Sequence, residues 1–374
     1  MIVVTTGIFN SGTAKLVAVL AGACASVLAA TLPSAANPQL VVDVNSLKVY
    51  EQREIYQKWY PASLTKLMTA YTTFRALKSG QLTLESPVVM TKNAAGEPPS
   101  KMFYKPGQAL TLDSALKMML IKSANDIAVA IGETVAGSEP AFVNQMNAEA
   151  QRIGMSSSHF INPNGLPGAG QYTTARDLAV LAVTIKREFP QYAPYFAYEG
   201  FTTGKKNYPN LNMLIGRFDG ADGMKTGFIC ASGFNQVSSA TRNGKAVVSV
   251  VLGADSLGGR ADESARLLQL GLTSSGAGKP GLGQIAPYGE TRDMVADVSK
   301  EICNPKAAKI RSENRDEVGR QKLQSPYIHE INRPLNLVAA GLIAGSDAKA
   351  ADAKGQLAEG DVANVPIPVP RPVF

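Results

Sequence analysis

Histidine is all but missing. The 374 residues hold two, His159 and His329. Three-imidazole metal centres are thereby excluded, and a Ser-His-Asp triad has only two residues to pivot on. His159 lies in "SSSHFINPNG", a polar loop where hydrogen bonding to the backbone is the simpler role. No glycine loop of the phosphate-cradling kind occurs either. "GLPGAG" (165–170) follows a proline and has no strand before it. Basic residues do not cluster with aromatics. The net charge of +7 is spread over short runs such as "KSG", "GKK" and "KAAKIR", which read as solvated faces and not as a nucleic-acid footprint. No metal and no cofactor are expected. If this chain performs hydrolysis, its base is not histidine, and lysine becomes the candidate.

Cysteine is scarce as well, with three residues. Cys24 lies in an apolar run, "KLVAVLAGACASVLAATL" (15–32), introduced by Lys15 and followed by "PSAAN". Small residues Ser34 and Ala36 sit where a signal peptidase would read them, so residues 1–36 read as a secretory signal peptide and the mature chain as exported to the periplasm. The alternatives are a membrane-spanning anchor, since the run nears the ~20 residues a span needs, and a lipoprotein through Cys24. Against the latter, Leu20 stands four residues before the cysteine and not three. Export leaves Cys230 and Cys303, which permit one disulfide; two buried free thiols are the alternative.

What is present is a globular composition, 45% hydrophobic and 18% charged. Residues 37–60 alternate as a hairpin. Leu64, Leu67, Met68, Tyr71 and Phe74 then form a helical stripe closed at Gly80. A second helical stretch spans 112–135 and is interrupted by the polar triplet Ser123-Ala124-Asn125. Helices follow at 140–153 and 174–187, separated by the loop "FINPNGLPGAGQY". From 220 the text turns to strands, with an Asn-Gly hairpin at "RNGK" and a closing helix over 262–272. Strands first, helices in the middle and strands again predict a sheet covered by helices, its first and last strands adjacent. Beyond 275 the pattern weakens: "SSGAGKPGLG" reads as a linker, "DMVADVSKEIC" as a possible helix, and the Ala-, Gly- and Pro-rich tail from Ala344 as disordered. "LVAAGLIAG" (337–345) is too short to span a bilayer.

Three short patterns carry chemistry. Ser63-Leu64-Thr65-Lys66 is S-x-x-K, Ser123-Ala124-Asn125 is S-x-N, and Lys225-Thr226-Gly227 is K-T-G. On a helix, positions three apart share a face, so Lys66 lies within reach of Ser63. Each pattern alone is weak, because S-x-x-K recurs at Ser114–Lys117, S-x-N at Ser312–Asn314 and K-[ST]-G at Lys78–Gly80. The duplicates fall on one continuous helical stretch, in the weakly patterned region and at a helix end. The retained set falls at a helix start, at a helix break and on a strand, from where polar groups can converge. Taken singly, Ser63 could be a helix cap, Lys66 a surface lysine, Asn125 a polar helix residue and Lys225 a strand-edge charge; in this order and context they point to a nucleophile with a lysine base.

With "IKSANDIAVAIGETVAGSEPAFVNQMN", "FINPNGLPGAGQYTTARDLAVLA" and "DGMKTGFICASGFN", the set resembles the D-alanyl-D-alanine carboxypeptidases, low-molecular-mass penicillin-binding proteins of serine peptidase family S11. The resemblance covers about residues 40–272. It implies an α/β (α+β) fold of the β-lactamase/transpeptidase type: an antiparallel sheet covered by helices plus a helical subdomain, with a catalytic domain over 37–275 and a poorly defined extension over 276–374. It also implies an acyl-enzyme at Ser63 with Lys66 as base, its charge suppressed by burial and by Lys225. Ser123 would relay the proton, Asn125 would hold substrate or Lys66, and Lys225, Thr226 and Gly227 would bind the terminal carboxylate. Backbone N–H groups of Ser63 and Phe228 would form the oxyanion hole. The implied partners are the peptidoglycan pentapeptide and, as covalent inhibitors, β-lactams. Cell-wall organisation and cell shape are the implied processes.

The text departs from the family at three places. Phe228 stands where histidine is frequent, Leu211 where many relatives have arginine within N-R-N, and "PVPRPVF" cannot form the usual amphipathic anchor helix, so no C-terminal membrane anchor is expected. Three rival readings remain. A class A-like β-lactamase needs an acid in the loop after S-x-N, and "FINPNGLPGAGQY" has none. A DD-endopeptidase shares the motifs. A non-catalytic wall-binding protein would have no need of the intact Ser63, Lys66 and Lys225.

Overall fold

The structure is a computed structural model; it describes Met1 and residues 37–313 and 322–346. The signal-peptide reading and most of the tail lie outside the described residues.

Strands β1 (Gln39–Asp43) and β2 (Val49–Arg53) form the first hairpin, and a 3-10 turn (Ala62–Leu64) leads into α1 (Thr65–Lys78). Next come β3 (Pro87–Val89), α2 (Lys92–Gly96), β4 (Ala109–Thr111), α3 (Leu112–Ile121), α4 (Asn125–Ala136), α5 (Glu139–Arg152) and α6 (Ala175–Glu188). Short elements α7 (Pro194–Ala197), β5 (Gly200–Thr202) and β6 (Asn207–Pro209) precede the long strands β7 (Ala221–Ile229), β8 (Gly233–Arg242) and β9 (Lys245–Ala254), then α8 (Leu257–Thr273). Beyond it lie α9 (Ser299–Ile302), α10 (Pro305–Glu313) and β10 (Leu337–Ala339).

The main sheet runs β2-β1-β9-β8-β7, every pairing antiparallel. Gln39 lies opposite Val251, so the first strand does sit beside the last. Side chains alternate across this sheet with period two. Leu40, Val42, Val248, Val250 and Leu252 face the core shared with α1, α3, α4 and α6, whereas Val41, Val247 and Val251 face α8 through Ala261, Ala265 and Leu268. Each such fully buried Val or Leu contributes roughly 1.5–3 kcal/mol. Short polar side chains set the helix starts: Ser138 accepts from Ala141 N–H at 3.3 Å, Thr174 from Asp177 N–H at 3.1 Å and Ser256 from Gly259 N–H at 2.9 Å. The stretch expected as one interrupted helix is two, α3 and α4, and Ser123 between them is left-handed at φ +65°.

Past α8 the described chain is a strap laid on the body, not the loose linker expected over 274–283. Val49 N–H donates to Pro280 O and Leu282 N–H to Leu47 O, both at 2.9 Å. Gln57 Nε2 donates to Met294 O at 2.6 Å, and Val298 N–H to Ala231 O at 3.1 Å. Arg333 pairs with Glu199, and β10 runs parallel to β5. Backbone pairing with exposed loops gives this segment order without the alternation that marks a sheet. Among the described residues no helix is long and apolar enough to cross a membrane.

The strap is stapled by a disulfide between Cys230 and Cys303, 73 residues apart. Closing a loop of that length lowers the entropy of the unfolded chain, typically by ~2–4 kcal/mol of stability. A Cys303→Ser variant is expected to lower the urea midpoint of the oxidised protein accordingly, and reductant to lower the parent's alone; a midpoint insensitive to both would leave two free thiols.

Candidate active site

The chain is fixed before it reaches the first motif. Trp59 is fully buried, exchanges backbone hydrogen bonds with Thr173 in both directions, and donates its indole N–H to Ser232 O at 2.9 Å. Asn235 Nδ2 donates to Tyr60 O at 3.2 Å. The following turn carries Ala62 at φ +47°, packed so that a Cβ at Gly165 would lie 1.8 Å from Ala62 O. Ser63 sits on this turn at the N-terminal end of α1. The helix start carries no side-chain cap, so the Ser63 hydroxyl is not spent on capping. It meets Lys66 Nζ at 3.0 Å.

Lys66 is completely buried and makes two further contacts, to Asn125 Oδ1 at 2.8 Å and to Asn164 O at 2.6 Å. An ammonium fills all three contacts. A neutral amine keeps two protons for Asn125 and Asn164 and turns its lone pair to the Ser63 O–H. Burial pulls the Lys66 pKa from 10.5 to about 7, against the opposing pull of Glu97 and Asp126. Burial is the leading cause at Lys66, and Lys225 repels the same charge. The mutual repulsion shows at Lys225, whose amine is held well below its usual range by burial first, then by Lys66 and Arg260.

The other two motifs arrive from the helix break and from β7. Lys225 Nζ donates to Ser123 Oγ at 2.9 Å and to Thr226 O at 2.8 Å. Asn125 is held from the loop before α3, donating to Pro98 O at 2.9 Å through its side chain and to Ser100 O at 2.7 Å through its backbone. Asp126, fully buried, braces the same loop by accepting from the N–H groups of Met102 and Phe103. Gly227 brings β7 against the Ser63 turn: a Cβ there would stand 3.1 Å from both Pro61 O and Ser63 N. The result is a cleft of ≈ 480 Å³ lined by Ser63, Ser123, Asn125, Thr226 and Phe228 among others, with no carboxylate in its lining.

Two residues of this cleft escape a sequence reading. Asn164 supplies the carbonyl facing Lys66. Arg260, on α8, is 3% exposed and reaches the cleft wall, donating to Gly227 O at 3.4 Å and Leu211 O at 3.3 Å. Among the described residues its Nε finds no acceptor. The signal was an arginine in register with the buried face of α8, four residues before Ser264. Leu211 and Phe228 form an apolar lip, 46% and 42% exposed, with the Phe228 ring centroid 4.3 Å from that of Phe234. Arg260 lies beneath this lip. Two of the duplicated patterns stay out: Lys117 pairs with Asp113 at 2.6 Å, and Lys78–Gly80 lies at the end of α1; Ser312–Asn314 runs outside the described residues. His159 Nδ1 lies 2.8 Å from Gly170 O in its loop, and His329 is exposed. No cluster of metal-ligating side chains occurs among the described residues.

A family model described as D-alanyl-D-alanine carboxypeptidase matches residues 26–256. The chain belongs to that family. The D-alanyl-D-alanine carboxypeptidase DacC of Escherichia coli (strain K12) is 36% identical over 239 residues, 62% of this chain and 60% of the relative. DacA of Haemophilus influenzae is 32% identical over 306 residues, 78% of each chain. A crystal structure of penicillin binding protein 5 from Haemophilus influenzae superposes with a TM-score of 0.61 at 34% identity, covering 64% of this chain and 71% of that one. The sheet and helices are those of the penicillin-binding transpeptidase/β-lactamase fold.

In this family member Gly165 is a spacer for the Ser63 turn, with φ +85° and no room for a side chain. Gly165→Ala is expected to reduce Ser63 acylation by a fluorescent penicillin at least about ten-fold, since a shift of ~1 Å in a reacting group costs that much or more. An unchanged rate would show that the turn does not set the geometry of Ser63.

Proposed function

We propose that the protein is a serine-type D-Ala-D-Ala carboxypeptidase acting on peptidoglycan stem peptides in the periplasm, after removal of residues 1–36. The observation that carries this is a fully buried lysine whose pKa lies near neutrality, 3.0 Å from a serine hydroxyl at the edge of a sheet. Neutral Lys66 takes the Ser63 proton as Oγ attacks the carbonyl carbon of the penultimate D-alanine. The oxyanion is received by the N–H groups of Ser63 and Phe228, donors worth roughly 3–4 kcal/mol each in such holes. Ser123 accepts from Lys225, which leaves its own hydroxyl proton free to pass to the departing D-alanine nitrogen, and the proton that Lys66 took from Ser63 replaces it. Water then cleaves the Ser63 ester and releases the shortened peptide.

β7 is an edge strand, so the substrate backbone can pair along it. The terminal carboxylate falls to Lys225, Thr226 and Arg260. Lys225 and Arg260 repel each other when the site is empty and are reconciled by an anion, which selects a free C-terminus. β-Lactams acylate the same Ser63. With no carboxylate lining the cleft to activate water, their release is slow, which favours a peptidase over a β-lactamase.

Mass spectrometry should find one penicillin adduct, on Ser63, absent from Ser63→Ala. A folded parent that forms no adduct would overturn the assignment. The pH profile follows from Lys66: its folded-state pKa is depressed, so the base is charged and idle below about 7 and free above it. The acylation rate constant is expected to rise about ten-fold per pH unit below that point and level off above it. A profile still climbing at pH 9 would mean that the base is not a lysine of this kind.

A further inference from the structure

The reading of Lys66 as the base leaves unexplained what keeps its amine basic once buried. Two carboxylates oppose the burial, Asp126 and Glu97. Asp126 spends its oxygens on the backbone N–H groups of Met102, Phe103 and Ile127. Glu97, half-buried on the loop after α2, accepts instead from Asn164 Nδ2 at 2.7 Å. Asn164 is 1% exposed, and its other side-chain atom, Oδ1, accepts from Leu166 N–H at 3.0 Å. Its carbonyl is the acceptor 2.6 Å from Lys66 Nζ. One carboxylate therefore both holds the residue that orients the amine and places a negative charge next to it.

We propose that Glu97 is a positioning residue for acylation: it fixes Asn164, and through Asn164 the direction of the Lys66 amine, and its charge keeps that amine a competent base. The residue lies outside the three motifs and outside the lining of the cleft. Its surroundings are mixed. Burial, then Glu139 of α5, raises its affinity for a proton; the hydrogen bond from Asn164 and the charges of Lys66 and Lys101 oppose this. Asn93 of α2 donates to Glu139 at 2.8 Å and to Glu133 of α4 at 3.0 Å, tying the acidic groups together. Around Lys66 itself stand Asp126 from α4 and Lys225 from β7.

An ionised Glu97 favours the ammonium of Lys66, so its removal makes the amine a weaker base that loses its proton at lower pH. The test is the rate of Ser63 acylation by a fluorescent penicillin on the full chain from pH 5 to 9, with the final labelled fraction reporting how much protein is folded. Glu97→Gln keeps an acceptor for Asn164 but no charge. Its acid limb is expected to move to lower pH by about half a unit or more. Glu97→Ala also frees Asn164 and is expected to lose a further roughly ten-fold in plateau rate. Glu97→Asp keeps the charge, and its limb stays at the parental pH. Limbs of Gln and Ala variants that coincide with the parent's, or an Asp variant displaced as far as the Gln variant, would overturn the proposal. A parent that takes no label at all would instead remove the Lys66 reading on which it rests.

Discussion

A single amine taken out of water governs this site. Lys66 has no exposed surface, and the fall of its pKa from 10.5 to about 7 corresponds to roughly 5 kcal/mol against its charged form. An exposed lysine three residues from a serine would be protonated at neutral pH and useless as a base. Burial alone would carry the amine further down than chemistry wants. Glu97 and Asp126 oppose it, and the amine stays poised where it can both lose a proton and accept one.

The rest of the fold can be understood as what keeps water out and the three motifs together. α1 runs through the main core, and its first turn is met by the edge of the sheet. Trp59 ties the approach to Ser63 to Thr173 and Ser232, which holds the turn beside β7. Gly165 and Gly227 remove side chains where backbones must nearly touch, which places Ser63 between the Asn164 loop and β7. Asp126 braces the loop that covers Asn125. Cys230, two residues past Phe228, is joined to Cys303, so the strap is anchored where β7 leaves the cleft.

Much of this was legible in the order of residues. The alternation in β1 and β9 and the stripe of α1 follow from periodicity, because one face of each is buried. The S-x-N triplet was readable as a break, since polar Ser123 and Asn125 interrupt an apolar run. What stayed hidden depends on contacts far apart in sequence. Arg260 is an arginine in a helix until α8 is seen lying under Leu211 and Gly227. Asn164 acts through its carbonyl, which no side-chain pattern reports. The course of residues 276–313 and 322–346 was missed because they pair largely through backbone and loops, which leave no hydrophobic period. Burial was expected to suppress the charge of Lys66, but its completeness was not legible, because depth of burial cannot be read from a stripe.

The protonation state of Lys66 in the resting protein is the most direct test of this account. Selective isotopic labelling of lysine with an NMR titration of the Lys66 side chain, assigned with Lys66→Arg, gives its pKa without any substrate. A midpoint near 7 is the result required here. A midpoint near 10, in protein that is otherwise folded, would mean that the amine is solvated and cannot take the proton from Ser63.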